Sequence, residues 1–524
     1  MMPQCAAADD PFCLARGSFE ALVADLDDRT RPTMRHDEAE CFVETQGMEV
    51  LRRLLQAYHD VRGQGFTVGP VVGADGVART QRRTRGRALE TVLGGVQVRR
   101  EVVSAPGVTS LMPHDAALNL PPEKYSLEVQ RRTAWQAARV SFDEAVEGVA
   151  LGTAAHVPKR QVEQLTVRAA EDFEGFYKQK QAAAAAAPPT ETGPILALSS
   201  DGKGIAMRRK DLREATRKAR DAKSPRLQRR LAKGEKRQQK RMATVGAVYT
   251  AQPFVRTPDD VVGDLKPVHD VEKARPRRPR PEHKRVFASV EHDAEDVVDE
   301  VFQEAASRDP QRTKRWVGLV DGNETQLAAF AFCAKHYGVA LTIIIDVIHV
   351  IEYLWKAGCA FLGEGESATE AWVQERLLEI LRGNSSQVAA GMRRSATSRG
   401  LTGQRRKAVD KCADYLLKYR KYLHYDEYLA AGLPIATGVI EGACRHLVND
   451  RLGITGARWS LAGAEAVLRL RALRSSGDFD EYWAFHRQAE LQRNHLDSYA
   501  NAKPPAVTQP SRLGHLRLCA EVSA

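Results

Sequence analysis

Three carboxylates, far apart in the chain, have the residue types and settings that phosphoryl chemistry needs. Asp201 and Asp321 each close a short apolar stretch and each precede a glycine, in ILALSSDG and RWVGLVDG, and Glu441 stands downstream in GVIEGACRHLVNDR. In-line attack on a phosphodiester builds charge on the entering and the leaving oxygen, and two divalent cations about 4 Å apart stabilise both. Mg²⁺ takes oxygen ligands and keeps several waters, so a few carboxylates suffice and histidine or cysteine would serve it poorly. Asp201, Asp321 and Glu441 are therefore the predicted catalytic and metal-binding residues, with two Mg²⁺ per site and Mn²⁺ as a substitute. If the first and fourth strands of the domain lie side by side in parallel, both aspartates emerge at the same sheet end, and Glu441 arrives on a helix.

Taken singly, each piece is weak. An Asp-Gly after a strand is most often a turn, since both residues favour turn geometry. A helical glutamate four residues before an arginine, as Glu441 stands to Arg445, is usually a surface pair. The segment DVIHVIEYLW puts Asp346 and His349 one turn apart at a strand-to-helix junction. There the histidine either orients a water, a DNA backbone or a carboxylate, or forms a structural hydrogen-bonded pair. Asp346 and Glu352 are rival third carboxylates, although neither follows the long helical interruption that precedes Glu441. Lys203, two residues after Asp201, either contacts a scissile phosphate or faces solvent.

Charge placement favours a polyanionic substrate. The net charge is +11, yet residues 207–241 carry 16 Lys or Arg against 4 Asp or Glu, and residues 272–285 carry 7 against 2. The rest of the chain is then net negative, at −6. Two basic insertions in an acidic body suit DNA, whose non-specific affinity comes largely from phosphate neutralisation and counterion release. A solvated helix face with a Pro/Arg loop would give the same counts. The predicted DNA contacts on this arm are Arg208, Arg209, Lys236, Arg237, Lys240 and Arg241.

The elements that must position these groups follow from periodicity. Residues 1–120 give a weak pattern, with an amphipathic helix near Glu38 to Arg62 and two strands in RALETVLGGVQVRREVV joined at Gly94-Gly95. Residues 121–180 read as helices, and Ser141 with Glu144 makes a capping box. The last two helices, separated by TAAHVP, fit a helix-turn-helix whose second member opens with Lys159 and Arg160, although a plain bundle would show the same periodicity. An alanine and proline tract at 181–194 is the expected linker. From 195 to 360 the order is three strands, with the basic helical arm between the first two, then alternating helices and strands, which is that of an α/β ribonuclease H-like domain with a mixed sheet. Residues 361–430 form an α-helical insertion, residues 431–495 return to the core and end in a basic helix, and 496–524 are a loose tail. Trp355, Trp372 and Trp459 are expected in the core, except that Trp459, beside Arg458, could stack on a splayed base.

Composition bounds the rest. The chain has 524 residues with 43% hydrophobic and 28% charged, ordinary for a globular protein. Its most apolar stretch, ALTIIIDVIHVIEYLW, is broken by Asp346, His349 and Glu352, so no membrane span and no membrane partner are expected. The acidic start lacks the pattern of a secretory signal, and the eight cysteines lack zinc-site spacing; reduced thiols in the cytoplasm are expected.

The motifs together carry a resemblance. SSDGKGIAMRRKDLREATRKA, RLAKGEKRQQKRMATVGAVYTAQPFVRTPDD, WVGLVDGNETQ, IIIDVIHVIEYLWKAG and PIATGVIEGACRHLVNDRLGITGARW resemble the DDE transposases of the ISKra-type insertion-sequence family. The similarity runs from about Leu111 to Trp483. It implies a ribonuclease H-like catalytic domain, divalent metal, and binding of terminal inverted repeats with cleavage and transfer of DNA strands, the acidic trio falling on Asp201, Asp321 and Glu441. The expected partners are double-stranded element ends and target DNA, with a homo-oligomer in the DNA complex because two ends must be held together. A ribonuclease H-like nuclease or resolvase would use the same carboxylates without strand transfer, and a non-catalytic DNA-binding derivative would keep the fold alone.

Overall fold

Residues 10–28, 34–187, 191–222, 239–264, 278–454 and 456–508 are described by the structure, a computed structural model. The chain divides into two compact units, residues 1–173 with 479–524, and residues 174–478. The boundary after Phe173 falls before the expected linker, whose alanine tract prolongs the preceding helix, Phe173–Ala186, as its composition allows, and the helix Phe479–Asn494 belongs to the N-terminal unit rather than to the core. Its Tyr482 hydroxyl donates to the Ala169 carbonyl at 2.7 Å, and its buried Glu490 pairs with Arg168 at 2.7 Å.

In the N-terminal unit the predicted amphipathic helix spans His36–Arg62. The predicted strands form a ribbon, Gln81–Thr91 antiparallel to Gly94–Ser104, whose turn sits at Val92 and Leu93 because Gly94 takes the positive φ, +107°, that closes it. Three short helices follow at Leu127–Ala137, Phe142–Gly152 and Lys159–Ala169. The Ser141–Glu144 capping box forms: the Glu144 N–H donates to Ser141 Oγ at 3.2 Å, and the Ser141 N–H to Glu144 Oε2 at 2.8 Å. Val129, Ala137, Ala145, Val149, Val162 and Leu165 share the core of this trio. The tail expected to be loose is partly built in. Tyr499 is buried with Val71, Val103, Leu111 and Ala116, and Val507–Thr508 pairs with Phe66–Thr67, so an aromatic anchor and backbone hydrogen bonds hold it.

The second unit is built on a mixed five-stranded sheet: β1 (Ile195–Ala206), β2 (Lys240–Ala251), β3 (Glu282–Ser289), β4 (Arg315–Val320) and β5 (Leu341–Ile345). The spatial order is β5-β4-β1-β2-β3, with β1 antiparallel to β2, β2 antiparallel to β3, and β1, β4 and β5 parallel. The central strands read as continuous apolar runs because both faces are covered. Helix α1 (Ala294–Arg308) packs on β1 and β2, and Phe302, Trp316 and Phe330, from α1, β4 and α2 (Glu324–His336), are fully buried. Helix α3 (Val347–Leu362) follows β5 directly. The expected insertion is helical: α4 (Ser367–Leu381), α5 (Ser385–Ser398), α6 (Gly403–Lys418) and α7 (Tyr425–Ala430). The chain then returns through α8 (Gly438–Ala443), a π-helical turn at Cys444–Asn449, and α9 (Leu461–Ser476), which packs on β3. The predicted basic helical arm, within residues 207–241, is described only in part. A 3-10 turn at Arg209–Asp211 and a short helix at Glu214–Asp221 precede residues outside the described set, and Lys240 already lies in β2.

Cys13 is disulfide-bonded, against the expectation of reduced thiols, whereas Cys41, Cys333, Cys359, Cys412 and Cys444 are free. Among the described residues no helix is long and apolar enough to cross a membrane.

Candidate active site

The strand register decides which carboxylates share a level. β1 pairs with β4 from Ile195↔Arg315 to Ser199↔Leu319, and β4 with β5 from Trp316↔Leu341 to Val320↔Ile345. Continued past its last pairs, the same register sets Asp201 level with Asp321, and Asp321 level with Asp346. The Asp346 N–H donates to the Val320 carbonyl at 2.9 Å, so the ladder reaches that level. Neighbouring strands lie about 4.8 Å apart. Three consecutive parallel strands thus each present an aspartate at one sheet edge.

Asp201 does not end its strand, as SSDG suggested. β1 runs on to Ala206 against β2, and Asp201 pairs with Val245. Pairing with β4 stops at Ser199 while pairing with β2 continues, so Asp201 stands at the fork where the two neighbours part. Asp321 does follow a strand end. Gly322 comes next at φ +94°, and Asp321 Oδ1 accepts the Asn323 N–H at 2.8 Å, closing the turn.

Glu441 reaches this edge through Asp346. Thr437, at the N-cap of α8, donates to the Asp346 carboxylate from both its hydroxyl and its backbone N–H, the latter at 3.4 Å. The Val347 N–H donates to the Ile435 carbonyl at 3.0 Å, which ties the same segment to the start of α3. Asp346 is fully buried, at 0% exposure, and also accepts the Ile348 N–H at 2.9 Å and faces His349 Nδ1 at 3.3 Å. It is therefore a fastening point between β5, α3 and α8, which the D-x-x-H spacing alone could not show. The helical insertion contributes as well. The Tyr415 and Tyr419 hydroxyls donate to the carbonyls of Asp321 and Gly322 at 2.9 and 2.5 Å, and Tyr425 donates to the Ile345 carbonyl at 2.8 Å.

The electrostatics report how these groups act on one another. Burial raises the pKa of the Glu441 carboxyl, the negative charges of Asp346 and Asp201 raise it further, and His349 and Lys203 act against the rise. His349 is held protonated to higher pH than usual by its bond to Asp346, against burial and with help from the fields of Asp346, Asp321 and Glu352. Lys203 is buried enough to disfavour its charge, but its 2.9 Å bond to Asp201 Oδ2 and the neighbouring negative groups outweigh this, and its pKa is raised. Cys444 donates its thiol to the same Oδ2 at 3.2 Å, and burial with the Asp201 charge pushes that thiol well up. Cys444, Thr437, Tyr415 and Tyr419 had no sequence signal of their own, apart from the spacing of Cys444 three residues beyond Glu441 on one helical path.

These donors fit a hard divalent cation. Asp201, Asp321 and Glu441 offer oxygen only, and the Glu441 carboxyl is raised first by burial and then by the charges of Asp346 and Asp201. The ammonium of Lys203 now supplies the positive charge that Asp201 faces. Ligand atoms of the trio are not gathered within 4.8 Å; among the described residues that tightness is reached by Asp172, His486 and Glu490 of the N-terminal unit. There Asp172 pairs with Arg493 at 3.0 Å and Glu490 with both Arg493 and Arg168, so guanidinium groups already balance the carboxylates.

The predicted DNA contacts sort into free and engaged groups. Arg160, Arg208, Lys240 and Arg458 are exposed. The Met207↔Trp459 bridge, with the Arg208 N–H donating to the Trp459 carbonyl at 2.8 Å, brings Arg208 and Arg458 to the same place beyond β1. Lys159 pairs with Asp143 and Arg209 with Asp221, at 2.7 and 2.8 Å. Arg241 spends its guanidinium on the Val290 and Glu291 carbonyls at 2.7 and 3.1 Å, a structural use. Lys236 and Arg237 lie outside the described residues. Trp459 is a core residue at 6% exposure, with Nε1 donating to the Leu452 carbonyl at 3.2 Å and Arg451 over its ring, so its face is not offered to a base.

No family model matches the chain, and no curated protein matches it. Among solved structures it is similar to a chain of the Drosophila P element transposase strand transfer complex, at 9% identity and a TM-score of 0.22, over 75% of this chain and 85% of that one. A likeness that remote carries nothing about this site.

Proposed function

We propose that this chain is a DDE-type transposase of the ISKra-type insertion-sequence family, a polynucleotidyl transferase that binds terminal inverted repeats and cleaves and transfers DNA strands. One arrangement carries the reading: the parallel register of β1 and β4, extended two residues past its last pair, sets Asp201 level with Asp321, and Thr437 fastens the Glu441 helix to the next strand end. The strand order, with the first strand flanked by the second and the fourth, supports a ribonuclease H-like core. The motif resemblance supplies the family and the terminal repeats. On this reading the protein works in the cytoplasm, on double-stranded element ends and target DNA, as a homo-oligomer that holds two ends.

Asp201, Asp321 and Glu441 would hold two Mg²⁺, or Mn²⁺ in their place, and bound metal supplies charge stabilisation to the entering and leaving oxygens. The chain's own groups do the rest. Lys203 holds Asp201 in place and stands ready to pair with a phosphate instead, since an ammonium exchanges partners readily. Asp346 and Thr437 fix the height of Glu441, and Tyr415 and Tyr419 fix the turn that carries Asp321. His349, whose protonated form is favoured by its bond to Asp346, faces the same edge and in that form is a donor for a phosphate oxygen.

Strand-transfer assays with a labelled terminal repeat test this. Wild type joins a 3′-hydroxyl end to target DNA in Mg²⁺ or Mn²⁺, and Asp201→Ala, Asp321→Ala and Glu441→Ala abolish joining while leaving DNA affinity intact. Wild-type activity in any variant removes that residue from the site. Cutting without joining by the wild type favours a nuclease or resolvase, and binding with neither step favours a non-catalytic derivative.

A further inference from the structure

The antiparallel ribbon Gln81–Thr91 with Gly94–Ser104 carries six arginines against two glutamates, and no lysine. Three of the arginines are spent internally. Arg82 pairs with Glu101 at 2.7 Å, Arg87 donates to the Pro121 carbonyl at 2.8 Å, and Arg100 bonds Asp115. The other three, Arg83, Arg85 and Arg99, are exposed and have no ion-pair or hydrogen-bond partner among the described residues. The register assigns them to both faces. Arg85 stands opposite Arg100 and Arg83 opposite Val102 on one face, and Arg99 stands opposite Gly86 on the other. Gly86 has nothing within 4 Å of where a Cβ would sit, and Thr84 and Ala88 beside it on that face are exposed and small, so the ribbon is thin there. Like charges are also crowded: burial, and then the fields of Arg87 and Arg85, bring Arg100 down to about 10.

We propose that this ribbon is a second DNA-binding element that enters the major groove of duplex DNA, with Arg83 and Arg85 on the phosphates of one wall and Arg99 on those of the other. A major groove about 12 Å wide admits a two-stranded ribbon. The Arg99 face is open around Thr84, Gly86 and Ala88, whereas on the other face Leu89, Val96, Val98 and Val102 are buried, so it is the end of that face at residues 81–85 that is free to meet a phosphate. Arginine is the residue for this, because its planar fork meets a phosphate with two hydrogen bonds. The thin middle lets the backbone approach the groove floor. The proposal rests on the transposase reading for the identity of its ligand and adds residues 81–104 to it.

The test is salt-dependent binding of the full chain to a duplex carrying a terminal repeat, comparing wild type with Arg83→Ala/Arg85→Ala/Arg99→Ala and with the triple lysine variant. None of the three arginines has a partner among the described residues, so circular dichroism and melting of the variants match wild type. Losing three phosphate contacts lowers the slope of log K against log salt by about 2.7, and the lysine variant restores most of it. Unchanged slope and affinity in the alanine variant, with wild type still binding and joining DNA, overturns the ribbon while sparing the transposase reading. Weakened binding to a duplex RNA alone also overturns it. A wild type that binds no duplex DNA sinks both.

Discussion

Replacing Thr437 with valine keeps the side-chain shape and deletes the hydroxyl that donates to Asp346 Oδ2. Asp346 is at 0% exposure, so no water reaches it to replace the lost donor. The Ile348 N–H at 2.9 Å, the Thr437 N–H at 3.4 Å and His349 at 3.3 Å remain, so the carboxylate is weakened in support rather than orphaned. A hydrogen bond to a charged group is worth about 1.5–3 kcal/mol, and with three partners left the expected loss is about 2 kcal/mol. The loss is local, because it frees the segment that starts α8 and leaves the sheet alone. Hydrogen exchange reads it best: the Val347 amide, bonded to the Ile435 carbonyl, and the Glu441 amide, bonded to the Thr437 carbonyl, should exchange about 30-fold faster, since 1.4 kcal/mol is a factor of ten. Thr437→Ser keeps the hydroxyl and restores most of the protection. Strand transfer falls in the valine variant with DNA affinity unchanged, as expected if Glu441 loses its height above the strands. Exchange of both amides within about twofold of wild type, with serine and valine indistinguishable, would refute the claim that Thr437 fastens the Glu441 helix.

Two further outcomes are expected. Tyr415→Phe with Tyr419→Phe removes two neutral hydrogen bonds to the Asp321-Gly322 turn, worth about 1 kcal/mol each, and should slow joining while the sheet keeps its melting behaviour; unchanged turnover would leave the insertion without a positioning role. In the N-terminal unit burial opposes the charge of Asp172, but bonds from His486 and Arg493 overcome it and hold the carboxyl at about 2, below its ordinary value. A depressed folded value means that the stabilisation is present above the unfolded pKa and is lost as pH falls toward 2, on the order of 2 kcal/mol in all. Urea denaturation of wild type and Asp172→Asn, compared at pH 6 and again near pH 3, should show the gap between them closing as the medium becomes acid; a constant gap would contradict the assignment.

What was legible in the sequence is what local periodicity determines. The helix Ala294–Arg308 and the strand Arg315–Val320 emerge in the expected alternation because an apolar face and an uninterrupted apolar run each have one plausible partner, the buried side of the sheet. Asp201 shows where that reasoning ends. An apolar run followed by Asp-Gly reads as a strand and a turn, yet β1 continues to Ala206, because whether a strand goes on depends on a partner, and β2 outlasts β4 by several pairs. Trp459 was open in the sequence for the same reason: flanked by Arg458 and Ser460 it could have been exposed, and the Met207↔Trp459 bridge buries it. Glu441 is the sharpest case. Its distance from the strands in sequence made it the weakest ligand, and what brings it close is the Asp346–Thr437 contact between residues that no spacing rule connects. On the proposed reading Asp346 supports the site rather than serving as its third ligand: its oxygens are taken by Thr437, Ile348 and His349, whereas Glu441 is exposed at the same edge. A buried carboxylate already given several hydrogen bonds has little left to offer a cation, whereas Glu441, whose side chain bonds no described residue, keeps its oxygens open to one. That asymmetry, more than position in the chain, favours Glu441 over Asp346 as the third carboxylate.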